Sequence, residues 1–171
     1  MVWVALSLGS NVDAENNLSS ALDELLLQFH DLALSFVFRS KAQDGVAPDY
    51  LNMVVGIETD VPLQELARLL KKIEDKHRRD RSVPKSVNIT LDIDLLLYGD
   101  KSGNFDGITL PRPEILTAAY VLWPLSQVAA KRKHPALKQS YAELWNAFDK
   151  TRQVVTPVNF AWHERVISRA G

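Results

Sequence analysis

Leu91, Ile93, Leu95 and Leu97 alternate with Asp92, Asp94, Leu96 and Tyr98. A period of two belongs to a strand, whose successive side chains face opposite sides of a sheet. The Leu/Ile set therefore belongs to a core, and Asp92 and Asp94 to the opposite face. The same pattern gives strands over residues 1–8 (MVWVALSL), 34–39 and 50–59 (YLNMVVGIET). Leu18, Ala21, Leu22, Leu25 and Phe29 recur at helical spacing and predict a helix over about 13–29. Leu63, Leu66, Leu70 and Ile73 mark the buried stripe of a second helix ending near His77. Gly9-Ser10-Asn11 reads as a turn able to cap the first helix, and Asp60 as N-cap of the second, with Pro62 in its first turn. Residues 41–48 and 78–88 read as loops.

The order β-α-β-β-α-β predicts an α+β fold: a ferredoxin-like antiparallel sheet with both helices on one face. The other face is left for further elements or a ligand. After Gly99 the chain loses strand character. Leu110-Pro111-Arg112-Pro113 is stiff and extended, Leu116 to Ala130 predicts a helix-rich cap, and Tyr141 to Phe148 a short amphipathic helix. The tail from about Asp149 is weakly patterned. With no repeat or linker, residues 1–171 read as one domain with a C-terminal extension.

Asp is a poor strand former, so two in one strand ask for a reason. Their side chains lie roughly 6–7 Å apart along one face and repel unless a cation lies between them. Hard oxygen donors at that spacing suit Mg²⁺, which keeps some waters and shares the rest of its positions with phosphates. Just upstream run Lys71, Lys72, Lys76, His77, Arg78, Arg79, Arg81 and Lys85, cations suited to phosphate oxygens. A solvated helix end is the plainer reading of that run. No Gly-rich Walker loop is present. Tyr50 offers a stacking face, and Asn52, two places on, an amide that can both donate to and accept from a heterocycle. Tyr120 reads equally well as a core aromatic.

Composition narrows the class. Twenty Lys+Arg against 21 Asp+Glu give a formal net charge of -1, without the basic excess of a nucleic-acid binder. There is no cysteine, so thiolate chemistry is excluded. No apolar run reaches membrane-spanning length, and the expectation is a cytoplasmic protein, acting as a monomer on small molecules.

Seven motifs occur in a telling order: Gly9-Ser10-Asn11, Phe38-Arg39-Ser40, Pro48-Asp49-Tyr50-Leu51-Asn52, Glu74 with Arg79, Leu91-Asp92-Ile93-Asp94, Leu110-Pro111-x-Pro113, and Tyr120-Val121-Leu122-Trp123-Pro124-Leu125. Together they resemble 6-hydroxymethyl-7,8-dihydropterin pyrophosphokinase over about residues 2–135. The resemblance implies ATP, two Mg²⁺ ions and a step of folate biosynthesis in which pyrophosphate passes to the pterin hydroxymethyl group and AMP is released. It assigns both metals to Asp92 and Asp94, catalysis to Asp94 and Arg79, and nucleotide contacts to Glu74 and Thr109. It also assigns pterin contacts to Tyr50, Asn52 and Tyr120, and a closing loop to Gly45. Where the family commonly carries arginine, this chain has Ile89 and Ala118, and Arg112 replaces the histidine of Pro-His-Pro. Arg112 and Lys85 are the cations placed to compensate on the nucleotide. The alternative reading is a catalytically weakened paralogue that only binds pterin or nucleotide, and a third is activity on another hydroxymethyl heterocycle.

Overall fold

The computed structural model describes residues 1–42, 45–78, 82 and 88–171. Seven elements make the first half: β1 (Val2–Ser10), α1 (Ala14–Phe29), β2 (Ala33–Leu34), β3 (Phe38–Ser40), β4 (Tyr50–Thr59), α2 (Leu63–Lys76) and β5 (Asp92–Tyr98). β1 lies between β4 and β5, antiparallel to both, and β2 and β3 both pair with β4. This is the split order expected of the β-α-β-β-α-β pattern. Both helices pack on one face, where Leu18, Leu22 and Leu25 of α1 and Leu66, Leu70 and Ile73 of α2 meet Val4, Leu6, Leu8, Met53, Val55 and Ile93.

The strand expected over 34–39 is two pieces. Leu34 pairs with Val55 and Phe38 with Asn52, so four steps on this strand face three on β4. The extra residue is a bulge. Ser35 fills it: its N–H donates to the Val54 carbonyl at 3.0 Å and its Oγ accepts the Val54 N–H at 2.8 Å.

β5 also departs from strict alternation. Leu6 pairs with Leu95 and Ala5 with Leu97, so Leu96 is an added residue. Leu91, Ile93 and Leu95 face the helices as expected, and Leu96 faces away. Beyond the bulge the phase inverts. Leu97 turns to the second face and Tyr98 to the helices, where its hydroxyl donates to the Val61 carbonyl at 2.8 Å.

That second face is covered by a 3-10 turn (Pro113–Leu116), α3 (Ala119–Val128) and α4 (Tyr141–Ala147), which enclose Ala5, Val54, Leu96 and Leu97. The sequence placed this cap correctly but missed the strands around it. Residues 103–110 form a hairpin of β6 (Gly103–Phe105) and β7 (Ile108–Leu110), turning on Asp106 and Gly107 at φ 52° and 90°. Asp-Gly is favoured at such paired left-handed positions. The tail adds β8 (Val155–Pro157), which pairs with β3 and extends the main sheet, then a hairpin of β9 (Phe160–Trp162) and β10 (Arg165–Ser168). Two caps differ as well. Gly9 and Ser10 continue β1 and Asp13 takes the N-cap of α1, while Pro62 itself occupies the N-cap of α2.

Candidate active site

β5 is the edge of the sheet, and Asp92 and Asp94 project from it beside the cap. The register lays out the floor next to them. Asp92 faces Gly9, which in turn faces Asn52; Asp94 faces Ser7, which in turn faces Val54. Small residues thus separate the carboxylates from β4 and leave a hollow. A Cβ built on Gly9 would stand 3.2 Å from Asn52 Oδ1. The sequence offered Gly9 as part of a turn and of the first motif, with no role in a site, and Ser7 only as part of a strand. Both matter through their cross-strand neighbours, which only the register reveals.

The hollow is a cleft of about 250 Å³, walled by Ser40, Lys41, Tyr50 and Asn52 on one side and Tyr120 on the other. Asn52 is buried, and its Nδ2 donates to Ser40 Oγ at 2.8 Å. That bond fixes which end of the amide turns away from Ser40. Tyr50 opens β4 and Tyr120 lies in the first turn of α3, so the two aromatics come from opposite layers.

A second cleft of about 530 Å³ opens on the α2 side of β5, lined by Lys71, Glu74, Gly107 and Thr109. Asp92, Asp94, Arg112 and Glu114 line both clefts. The carboxylate pair is therefore a shared wall between two binding spaces.

Glu74, expected to touch a nucleotide, has a structural partner too. It is buried, and its Oε2 accepts the Ile93 N–H at 2.7 Å. On an edge strand that N–H, between the two aspartates, points away from β1 and needs an acceptor. Thr109 is exposed in the second cleft, with its Oγ1 accepting from Asn104 Nδ2 at 3.2 Å. Arg112 sits against Asp94, Nη2 to Oδ1 3.6 Å, and against Glu114, Nε to Oε2 3.0 Å. Glu114 was missed; the two prolines beside Arg112 were its only signal.

Gly45 does not join the others. It stands at φ 69° with open space around it and lines neither cleft among the described residues. Arg79 and Lys85 lie outside the described residues. Ile89 and Ala118, the positions where the resemblance leads one to expect arginine, are 1% and 4% exposed and belong to the packed interior.

The carboxylate pair fits a hard divalent cation on chemistry alone, since it supplies oxygen donors facing two spaces. Among the described residues no cluster of three acidic or histidine side chains forms there. Such an ion would complete its shell from water and from phosphate oxygens.

The family model described as 7,8-dihydro-6-hydroxymethylpterin-pyrophosphokinase matches residues 5–130. The chain belongs to this family. Its activity is pyrophosphoryl transfer to 6-hydroxymethyl-7,8-dihydropterin in folate biosynthesis, with ATP as co-substrate. The pyrophosphokinase of Haemophilus influenzae is 32% identical over 136 residues, covering 76% of this chain and 83% of that protein. The Synechocystis pyrophosphokinase is 31% identical over 152 residues, covering 84% and 77%. A Plasmodium falciparum HPPK-DHPS crystal structure superposes with a TM-score of 0.70 at 13% identity, a likeness of fold alone. It covers 98% of this chain, which spans about half (48%) of that longer polypeptide. No helix among the described residues of this pyrophosphokinase is long and apolar enough to cross a membrane.

Proposed function

We propose that the two clefts divide the substrates. The cleft walled by Tyr50, Asn52 and Tyr120 takes the pterin, the cleft lined by Lys71, Glu74 and Thr109 takes ATP, and transfer occurs across the wall they share. The observation that carries this reading is that Asp92 and Asp94 line both spaces. In the transfer the hydroxymethyl oxygen bonds to the β-phosphorus. The bond from that phosphorus to the α–β bridging oxygen breaks, AMP leaves, and the hydroxyl proton passes to solvent.

Asp92 and Asp94 would hold two Mg²⁺ ions, which supply charge neutralisation and alignment of the phosphate oxygens. Tyr50 and Tyr120 clamp the flat ring from two layers. Asn52, oriented by Ser40, reads its amide edge. Glu74 holds β5 straight between the carboxylates by accepting the Ile93 N–H. Arg112, with Arg79 and Lys85 from the basic segment, supplies positive charge to the phosphates. Residues 1–171 act as a single domain, as a monomer in the cytoplasm.

The test is AMP release from ATP and Mg²⁺, measured with and without hydroxymethyl-dihydropterin. AMP that appears only with the pterin is the expected result. AMP release unaffected by the pterin would overturn the assignment of the first cleft.

A further inference from the structure

Arg112 rests in an unusual position for a residue meant to meet phosphate: its guanidinium lies against one of the carboxylates proposed to hold metal. Its backbone has little freedom. Pro111 and Pro113 flank it, and a proline both fixes its own φ and restricts the residue before it. The Arg112 N–H donates to the Leu96 carbonyl at 2.9 Å, which rivets the segment to β5 two residues beyond Asp94. From that fixed stem the side chain reaches back along the strand. Nη2 lies 3.6 Å from Asp94 Oδ1, and Nε is held 3.0 Å from Glu114 Oε2 at the start of the 3-10 turn. About a third of the side chain is exposed (33%), so the arm can move while its root cannot.

We infer that Arg112 is a resident counter-ion of the acidic strand. It neutralises Asp94 before metal arrives, competes with the metal for that carboxylate, and is displaced towards the phosphates when the cation binds, with Glu114 keeping it within reach. The inference rests on the reading that Asp94 holds a divalent ion. It predicts opposite signs for two quantities: removing Arg112 strengthens metal binding to the free protein and weakens turnover. An arginine that served packing alone would not strengthen metal binding when removed.

The probe is Mn²⁺ binding to the full chain without nucleotide, followed by electron paramagnetic resonance. Arg112→Gln should bind Mn²⁺ about two- to fivefold more tightly, the size expected of a partly solvated ion pair, and Arg112→Lys should bind it as the parent does. Steady-state kinetics of Arg112→Gln should show a fall in kcat. Asp94→Asn separates the two ideas. If it leaves Mn²⁺ affinity intact, the metal assignment fails. If it abolishes binding while Arg112→Gln leaves affinity unchanged or weaker, the counter-ion fails alone. A readout on the unmutated side chain guards against misfolding of the variants. The Arg112 Nε–H resonance should shift with Mg²⁺ at the same midpoint as metal binding, and a resonance that ignores saturating Mg²⁺ overturns the displacement.

Discussion

Asn11 and Ile89 grip each other by backbone and side chain together. The Asn11 Oδ1 accepts the Ile89 N–H at 2.6 Å, and the Asn11 N–H donates to the Ile89 carbonyl at 2.9 Å. The Asn11 Nδ2 also reaches the Pro48 carbonyl at 3.3 Å, so the end of β1 ties together the approaches to β4 and β5. Ile89 is thereby locked with its side chain in the interior. Ile89→Arg would bury a guanidinium without a partner and should cost about 3–5 kcal/mol of stability. The expected outcome is a lower melting temperature with no gain in AMP release. A faster enzyme of parental stability would mean that the segment turns its side chain outward.

Tyr50→Ala and Tyr120→Ala should each weaken pterin binding more than ATP binding, because both line only the first cleft. Ring stacking is worth about 0.5–1.5 kcal/mol per aromatic pair beyond area burial. Calorimetry with each ligand separately decides it, and equal losses for both ligands would count against the division of clefts.

Gly9→Ala tests the floor. The added methyl would press on Asn52 Oδ1 at 3.2 Å and approach Tyr50 Cδ1 at 3.9 Å. The contact with Asn52 is tight enough that the amide must shift, while the nearest backbone atom, the Leu51 carbonyl oxygen, stays at an ordinary 3.9 Å. Pterin affinity should fall several-fold while the melting temperature moves little. An unchanged KM for the pterin would place the ring elsewhere.

Glu74→Leu removes the acceptor of the Ile93 N–H and should cost about 1–3 kcal/mol by denaturant unfolding. Glu74→Gln keeps a carbonyl oxygen in place and should recover most of that stability. Were the two variants equally unstable, the carboxylate charge rather than the hydrogen bond would be what β5 needs.

His134 predicts a pH dependence far from the chemistry. Its ring is buried, and its Nδ1 accepts the N–H groups of Ala136 and Leu137, both at 3.2 Å. Burial lowers its pKa from the ordinary histidine value. The unfolded chain, with its His near 6.5, then takes up the proton first as pH falls. Stability from this group is full above about pH 6.5 and drains as the solution is acidified below it. Unfolding measured from pH 7.5 to 5 should show that decline, and His134→Gln should flatten it.

The legible parts of this chain are those where local pattern and tertiary role coincide. Leu91, Ile93 and Leu95 are both alternating and buried, and Leu18, Leu22 and Leu25 are both helically spaced and buried, so strand, helix and sheet order could be read directly. The aspartate pair was legible because charge in a strand contradicts propensity. The bulge at Leu96 was not, since four consecutive apolar or aromatic residues carry no mark of phase. Short strands of three to four residues in the tail have too few positions to show a period. Asp106-Gly107 did mark a hairpin and was passed over. Arg112 was legible as a cation for the nucleotide, but its contact with Asp94 and the part of Glu114 needed the fold itself, for only packing shows that the pair lies where two clefts meet.

β8 gives the sheet its outer margin, pairing Thr156 with Arg39, and Ser168 Oγ takes the Val37 N–H at 2.9 Å just beside it. A ribosome makes β3 long before it makes either. Through most of translation the nascent sheet would carry an open row of N–H and C=O groups at β3, the kind of edge on which chains add to one another. β8 therefore works as a hem: it binds off that open row next to the first cleft, with Val155 paired against Ser40.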